Sequence, residues 1–98
     1  MAYLPRKVLT GGGATDRIGS QGVPFDLLKI IVYVDGSNDA ILQITDDDGP
    51  VTPASGMRMS KLGAQVVYDF NFPLIGPVDF ILSGTNAEAT VYYKEWTE

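Results

Sequence analysis

The 98-residue sequence contains no cysteine and no histidine. Without cysteine it can form no disulfide, and it offers neither a thiolate nucleophile nor a thiolate ligand for zinc. Without histidine it lacks the side chain most often used as a general base and as a transition-metal ligand. We therefore expect a protein that is not an enzyme, has no catalytic residues and binds no cofactor.

The sequence also has little positive charge and no long hydrophobic run. Seven Lys and Arg residues stand against twelve Asp and Glu residues, which gives a formal net charge of -5. The basic residues are scattered, whereas nucleic-acid binding needs clustered Lys and Arg to contact phosphates. No apolar segment approaches the roughly 20 residues that cross a bilayer, and the first residues lack the apolar run of a signal peptide. We expect a soluble, cytoplasmically made protein with no nucleic-acid or membrane partner.

The sequence does contain short apolar segments separated by its 11 glycines and 6 prolines. Apolar and polar residues alternate along residues 64–72, 78–83 and 89–94 with the period of two of a half-buried strand. The length suits one domain, residues 1–98, because two cores would each be too small. We predict an all-β fold, an antiparallel β-sandwich or jelly roll of six to eight short strands. The predicted inward-facing residues are Ala64, Val66, Tyr68, Phe70, Phe72, Val78, Phe80, Leu82, Ala89, Val91 and Tyr93.

Two polar stretches have the composition of hairpin turns. They are GTNAE at residues 84–88 and DGSND at residues 35–39, and each separates two apolar segments. Gly, Asn and Asp tolerate the positive φ that tight turns require. We therefore predict two hairpins, one around each stretch. The predicted strands are residues 6–10, 25–34, 40–45, 56–62, 64–72, 78–83 and 89–94.

The triplet Gly11-Gly12-Gly13 separates the first predicted strand from the rest of the chain. Glycine-rich stretches are flexible, so residues 1–13 could form an amino-terminal arm. An arm whose strand pairs with another subunit is a simple way to build an oligomer. An ordinary mobile loop is the alternative.

Three consecutive aspartates, Asp46, Asp47 and Asp48, precede Gly49 and Pro50. A calcium loop of the EF-hand type spaces its carboxylates on alternate residues, whereas these are contiguous. On an extended backbone only Asp46 and Asp48 would point the same way. We interpret the stretch as an acidic turn, with no metal. A weak calcium site on Asp46 and Asp48, completed by backbone carbonyls or by Asp35 or Asp39, is the alternative.

The outward faces of the predicted sheets are unusually apolar. If the inward-facing residues fill the core, the opposite face carries Val67, Ile81, Tyr92 and Trp96. Residues 25–34, FDLLKIIVYV, are apolar on both faces, as in a strand that is covered on both sides. In so small a domain we expect another protein chain to supply the second cover. Loops or the arm folded over this face are the alternative.

Taken together, these features resemble the small all-β structural proteins of tailed-phage virions. They are the absence of His and Cys, the short length, the arm with its glycine hinge and the closing strand ATVYYKEW at residues 89–96. The comparison is best with capsid decoration (cement) proteins, compact sandwiches or jelly rolls that clamp neighbouring capsid subunits, often as trimers. The resemblance implies a homo-oligomer, with a trimer favoured, that binds a capsid or other virion protein.

The resemblance further implies a virion location after synthesis in the host cytoplasm. Other virion roles, in a tail, head fibre or baseplate, fit the same features. A different class of function is a lectin-like module, in which Tyr92 and Trp96 stack on sugar rings. The residues that we predict to make protein contacts lie in the arm and on the outer sheet face: Leu4, Arg6, Val8, Ile81, Tyr92 and Trp96.

Overall fold

A computed structural model describes residues 6–53 and 55–95. These residues form one antiparallel sheet of seven strands, which confirms the all-β prediction. None of the described residues is helical, so they include no helix able to cross a membrane. The strands are β1 (Arg6–Ile18), β2 (Pro24–Val34), β3 (Ala40–Asp46), β4 (Gly49–Pro50), β5 (Met57–Met59), β6 (Ala64–Ile75) and β7 (Val78–Glu95).

The longest strand, β7, is paired along both of its edges. It pairs with β1 along one edge, and along its other edge with β3 and then β2. The first half-sheet consists of β6, β2, residues 88–95 of β7 and residues 6–10 of β1. The second half-sheet consists of β3 with β4 and β5, residues 78–83 of β7 and residues 12–18 of β1. The two long strands therefore belong to both halves.

The sheet bends between its two halves, at residues 84–87 of β7 and next to Gly11 of β1. We call this bend the crease. Within β7 the register moves from Ser83 opposite Gly12 to Glu88 opposite Thr10, so β7 has extra residues at the bend. Gly84 there has a φ of 143° and Asn86 a φ of 60°, and bulges of this kind let a strand leave one sheet for another. The predicted hairpin at residues 84–88 is wrong, because the same Gly and Asn residues serve a bulge inside a continuous strand.

The second predicted hairpin is wrong for a related reason. Strands β2 and β3 flank the turn at residues 35–39, but both pair with β7, one after the other, and do not pair with each other. The turn therefore carries the chain across the crease. It is fixed by Asp35, whose carboxylate accepts hydrogen bonds from the Ser37 backbone N–H at 3.1 Å and the Asn38 side chain at 2.9 Å.

The glycine triplet lies inside β1 at the crease. Register shifts occur between Thr10 and Gly12 and between Gly12 and Thr15. Residues 6–10 and Gly12 of the expected arm are thus paired with β7 of the same chain, and Met1 to Pro5 lie outside the described residues. A Cβ on Gly11 would overlap the carbonyl oxygen of Gly84, so glycine permits the close approach of the two long strands where both bend.

A bulge in β2 changes which of its apolar residues face inward. Leu27 pairs with Tyr93 and Lys29 with Tyr92, so Leu28 is the extra residue. Because the side-chain alternation shifts there, Phe25 and Leu27 face the same way as Ile30 and Val32, whereas an unbroken period of two would place the two pairs on opposite faces. The residues of β2 that are fully buried are Phe25, Leu27, Ile30, Val32 and Val34.

The buried faces of both half-sheets contribute to one hydrophobic core. Phe25 and Leu27 of the first half lie in the same cluster as Leu42 and Phe80 of the second half. The inward alternation predicted for residues 78–82 is observed, with Val78, Phe80 and Leu82 fully buried. On β6 the predicted inward residue Ala64 is exposed, and Val66, Tyr68 and Phe70 are only partly buried against this core. Residues 64–70 of β6 therefore lie at the margin of the core.

Candidate protein-interaction surface

One row of side chains crosses all four strands of the first half-sheet on its outward face. The strand register places Val8 opposite Thr90, Thr90 opposite Ile31, and Ile31 opposite Val67. Directly opposite residues of an antiparallel pair lie on the same face and about 4.5–5.5 Å apart. We call Val8, Thr90, Ile31 and Val67 the outer row. It is an apolar line across the sheet, interrupted only by the threonine.

Both ends of the outer row are open to solvent. Val8 is 60% exposed and Val67 is 51% exposed, while Ile31 and Thr90 are half-buried between them. Burying a whole valine side chain contributes about 1.5–3 kcal/mol relative to leaving it exposed. Burial of the two terminal valines beneath a partner protein would therefore contribute favourably to the free energy of binding.

Polar residues border the outer row on either side. On one side Arg6 pairs with Tyr92, and Lys29 lies 3.8 Å from the carboxylate of Asp69 on the neighbouring strand. On the other side Glu88 pairs with Thr10 and Tyr33, and Gln65 pairs with Tyr33. An apolar centre with a polar rim is the usual layout of a protein–protein interface.

Two shallow depressions lie on this outward face. The larger, of about 310 Å³, is lined by Leu28, Lys29, Ile31 and Tyr92. The smaller, of about 120 Å³, contains Val8 and Thr90 among its lining residues and shares Ile31 with the larger one. Side chains of a partner protein could fit into these two depressions.

The predicted contact residues divide between the two half-sheets. Arg6, Val8 and Tyr92 come together on the outward face of the first half-sheet. Ile81 lies on the second half-sheet, opposite Thr15 and Gln43, in a separate depression. Leu4 and Trp96 lie outside the described residues. Their role in contacts, like that of the others, stays a prediction.

Sequence reasoning did not select Ile31, Val67 and Thr90 as contact residues. The period of two on each strand indicated that Val67 faces outward, but it could not show which residues stand side by side on different strands. The missing information is the register between β6, β2, β7 and β1, which includes the bulge at Leu28.

The three aspartates form the turn between β3 and β4. Asp46 pairs with Gly49, and Asp47 and Asp48 make the connection. The Asp46 carboxylate accepts a hydrogen bond from the backbone N–H of Asp48 at 2.9 Å, as Asp commonly does in turns. Among residues 6–53 and 55–95 no group of three or more His, Cys, Asp or Glu side chains could hold a metal ion. The turn itself is observed, and the expectation that it binds no metal stays a prediction.

The carboxylates of the other two aspartates considered for calcium, Asp35 and Asp39, accept hydrogen bonds from neighbouring groups. Asp35 holds its own turn, as described above. Asp39 accepts from the Arg58 guanidinium at 2.6 Å and from the backbone N–H of Lys61 at 2.8 Å. These contacts join the turn between β2 and β3 to β5 and to the segment that leads into β6.

Hydrogen bonding lowers the pKa of three carboxyl groups. The pKa of Asp39 lies below its usual value because the Arg58 side chain and then the Lys61 N–H donate to its carboxylate. Donation from Asn38 and Ser37 lowers the pKa of Asp35. The Arg17 guanidinium, which donates at 2.8 Å across the β1–β7 pair, lowers the pKa of Asp79.

These depressed pKa values predict a loss of stability in acid. A carboxyl group whose pKa is lower in the folded state stabilises the fold above the unfolded-state pKa, about 3.9 for Asp. That contribution is lost as the pH falls through the folded-state pKa. We expect the melting temperature to fall as the pH is lowered below about 4. Asp39→Asn should show a shallower decline than the wild type, and parallel curves would contradict the role given to Asp39.

Comparisons with known proteins give no family for this chain. No protein-family model matches it, and no curated protein matches it at a significant level. Among solved structures it is similar to a chain of the virus-like particle of the extra small virus of the giant freshwater prawn Macrobrachium rosenbergii. The identity is 12%, the TM-score is 0.32, and the match covers 100% of this chain and 82% of that one. A likeness at this level does not inform function.

Proposed function

We propose that this protein is a non-enzymatic structural protein that acts through protein–protein contacts, as a virion component that decorates and stabilises a phage capsid. The observation that carries the proposal is the outer row, which presents exposed valines at both ends of an apolar line. Such a surface is suited to burial against a second protein. The capsid assignment follows from the resemblance in sequence style to decoration proteins.

The proposed contact with the shell uses the outward face of the first half-sheet and therefore leaves out Ile81, which lies on the second half-sheet. Val8 and Ile31 would supply the apolar centre, with Arg6 and Tyr92 at its rim. Arg and Tyr are enriched among residues that dominate binding energy. The resemblance also implies a homo-oligomer, for which decoration proteins favour a trimer. Tail, head-fibre or baseplate attachment would use the same face.

The proposal predicts that the genome encoding this chain also encodes a major capsid protein. A direct test uses particles assembled from that protein. The wild-type chain is expected to sediment with these particles and to saturate at a fixed number of copies per shell. Val8→Glu places a charge in the apolar centre and should weaken binding about tenfold or more.

The matched control is Thr15→Glu, which adds the same charge at an exposed position of β1 on the second half-sheet. It should bind the particles like the wild type. Failure of the wild-type chain to sediment with the particles would contradict the virion role. Equal binding by the two variants would contradict the choice of surface.

The lectin-like alternative is less well supported by the surface around Tyr92. Sugar recognition combines an aromatic ring with polar groups that bond the hydroxyls. The described residues that line the depression at Tyr92 are Leu28, Lys29 and Ile31, which include no carboxylate or amide side chain. Binding to a defined sugar on a glycan array, together with no sedimentation with the capsid particles, would identify the lectin-like function.

A further inference from the structure

Strand β6 forms one edge of the first half-sheet. Within residues 6–53 and 55–95, β6 pairs with β2 and with no other strand. The backbone N–H and C=O groups of residues 64–69 that point away from β2 have no strand partner in this part of the chain. Such an edge is a template for an additional strand, and proteins usually protect it with charges, proline, bulges or shortness.

The other sheet edges carry these protective features. Strand β1 has two register shifts and the basic residues Arg6, Lys7 and Arg17. Strands β4 and β5 have two and three residues, and Pro50 and Pro53 lie on or beside β4.

The first half of β6 differs from these edges, whereas its second half contains Pro73 and a register shift between Asp69 and Phe72. Residues 64–69, AQVVYD, contain one charged residue, no proline and no glycine. The register with β2 is regular from Ala64 to Asp69. The stretch combines β-branched and aromatic residues, which favour strands. Of the sheet edges among the described residues, this one is the least protected against pairing.

We propose that β6 pairs antiparallel with β6 of a second copy of this chain, about a two-fold axis through Val67. The axis stands perpendicular to the sheet, so outward residues of one copy meet outward residues of the other. Val67 then lies opposite Val67, Gln65 opposite Asp69, and Val66 opposite Tyr68.

This register is favoured by charge and by side-chain type. On the outward face it gives each Asp69 carboxylate a Gln65 amide as a hydrogen-bond donor, and on the inward face it joins apolar residues. An axis through Asp69 would place two carboxylates opposite each other in chains that each carry a net charge of -5, which is unfavourable. An axis through Tyr68 would place Val67 opposite Asp69. Of these three axes, the one through Val67 is the one that matches both faces.

The pairing extends the outer row. Val67 ends the row in one copy, so the two rows would meet at the axis and form one apolar line across both copies. If the outer row binds a capsid shell, which rests on the proposed function, the dimer would engage two shell sites at once. Bivalent attachment raises the overall affinity without any new kind of contact. The symmetry is two-fold, unlike the trimer that the resemblance implies.

Because the chain contains no cysteine, a single introduced cysteine can test the pairing by disulfide cross-linking. Opposite residues of an antiparallel pair have Cα atoms about 4.5–5.5 Å apart, within the range that a disulfide can join. Val67→Cys is therefore expected to give a disulfide-linked dimer as the main product under mild oxidation. Val8→Cys places a thiol of similar exposure on β1, and it should remain largely unlinked.

Sedimentation velocity of the wild-type chain supplies the second measurement. It should show a concentration-dependent dimer, and Val67→Lys should weaken dimerisation about tenfold through like charges at the axis. Val67→Lys should keep the wild-type melting temperature at low concentration, since the site is exposed. A wild-type chain that stays monomeric or forms a trimer would overturn the proposal, as would equal cross-linking of the two cysteine variants. These readouts need no capsid particles, so they are independent of the shell-binding test.

Discussion

Gly11→Ala is expected to lower the free energy of unfolding by about 3 kcal/mol, as overpacking against an unyielding neighbour does. A Cβ at this position would overlap the carbonyl oxygen of Gly84 and lie 2.9 Å from that of Ala87. Both obstacles are backbone atoms of β7, so relief requires β1 and β7 to separate at the crease. Urea unfolding followed by circular dichroism measures the loss.

Gly12→Ala is the matched control, because a Cβ on the next residue meets nothing within 4 Å. We expect it to change the free energy of unfolding by less than about 0.5 kcal/mol. Similar losses for the two variants would show that the effect does not come from contact between the strands at Gly11, since removal of glycine by itself restricts the unfolded chain and favours folding. A negligible loss for Gly11→Ala would contradict the close approach at the crease.

Phe80→Ala is expected to cost about 3–5 kcal/mol of folding stability, the usual range for a buried phenylalanine. Phe80 lies on β7 in the second half-sheet, is fully buried, and belongs to the cluster that includes Phe25 and Leu27 of the first half-sheet. A domain of this size is stable by only about 5–15 kcal/mol. The variant should therefore unfold at a much lower urea concentration.

Val67→Ala provides the comparison for Phe80→Ala, since Val67 is half-exposed on the outward face. Its expected cost, measured at a concentration where the chain is monomeric, is below about 0.5 kcal/mol. If Phe80→Ala cost as little as Val67→Ala, one core shared by the two half-sheets would be ruled out.

The strands themselves could be predicted from the alternation of apolar and polar residues. Val78, Phe80 and Leu82 face inward as the alternation indicates, because a strand with one buried face must have a period of two. The connections between strands could not be predicted in the same way. Gly84 and Asn86 have positive φ, as a hairpin turn would require, but a bulge in a continuous strand requires it too.

The same ambiguity affected the glycine triplet and the apolar segment of β2. Glycine indicates flexibility when a chain is free, but Gly11 is needed here because two backbones nearly touch. In β2 one extra residue, Leu28, moves Phe25 and Leu27 to the same face as Ile30 and Val32. Strand β2 therefore buries more of its apolar residues than the sequence alone suggested.

The acidic turn shows where local sequence is sufficient. Asp46 to Gly49 form a turn through hydrogen bonds between near neighbours, and the residue types that favour such a turn can be read directly. The candidate surface depends instead on register between strands far apart in sequence. Arg6, Val8 and Tyr92 could be selected as outward-facing, but Ile81 could not be separated from them, because the crease that places it on the other half-sheet is a tertiary feature.

The most direct test of shell binding by the first half-sheet is a cryo-electron microscopy reconstruction of capsid particles decorated with this chain. We expect Val8, Ile31 and Thr90 to lie in contact with the shell and Ile81 to face away from it. Density in which the chain meets the shell through Ile81 and the second half-sheet, or particles that carry no density for the chain, would contradict the proposed function.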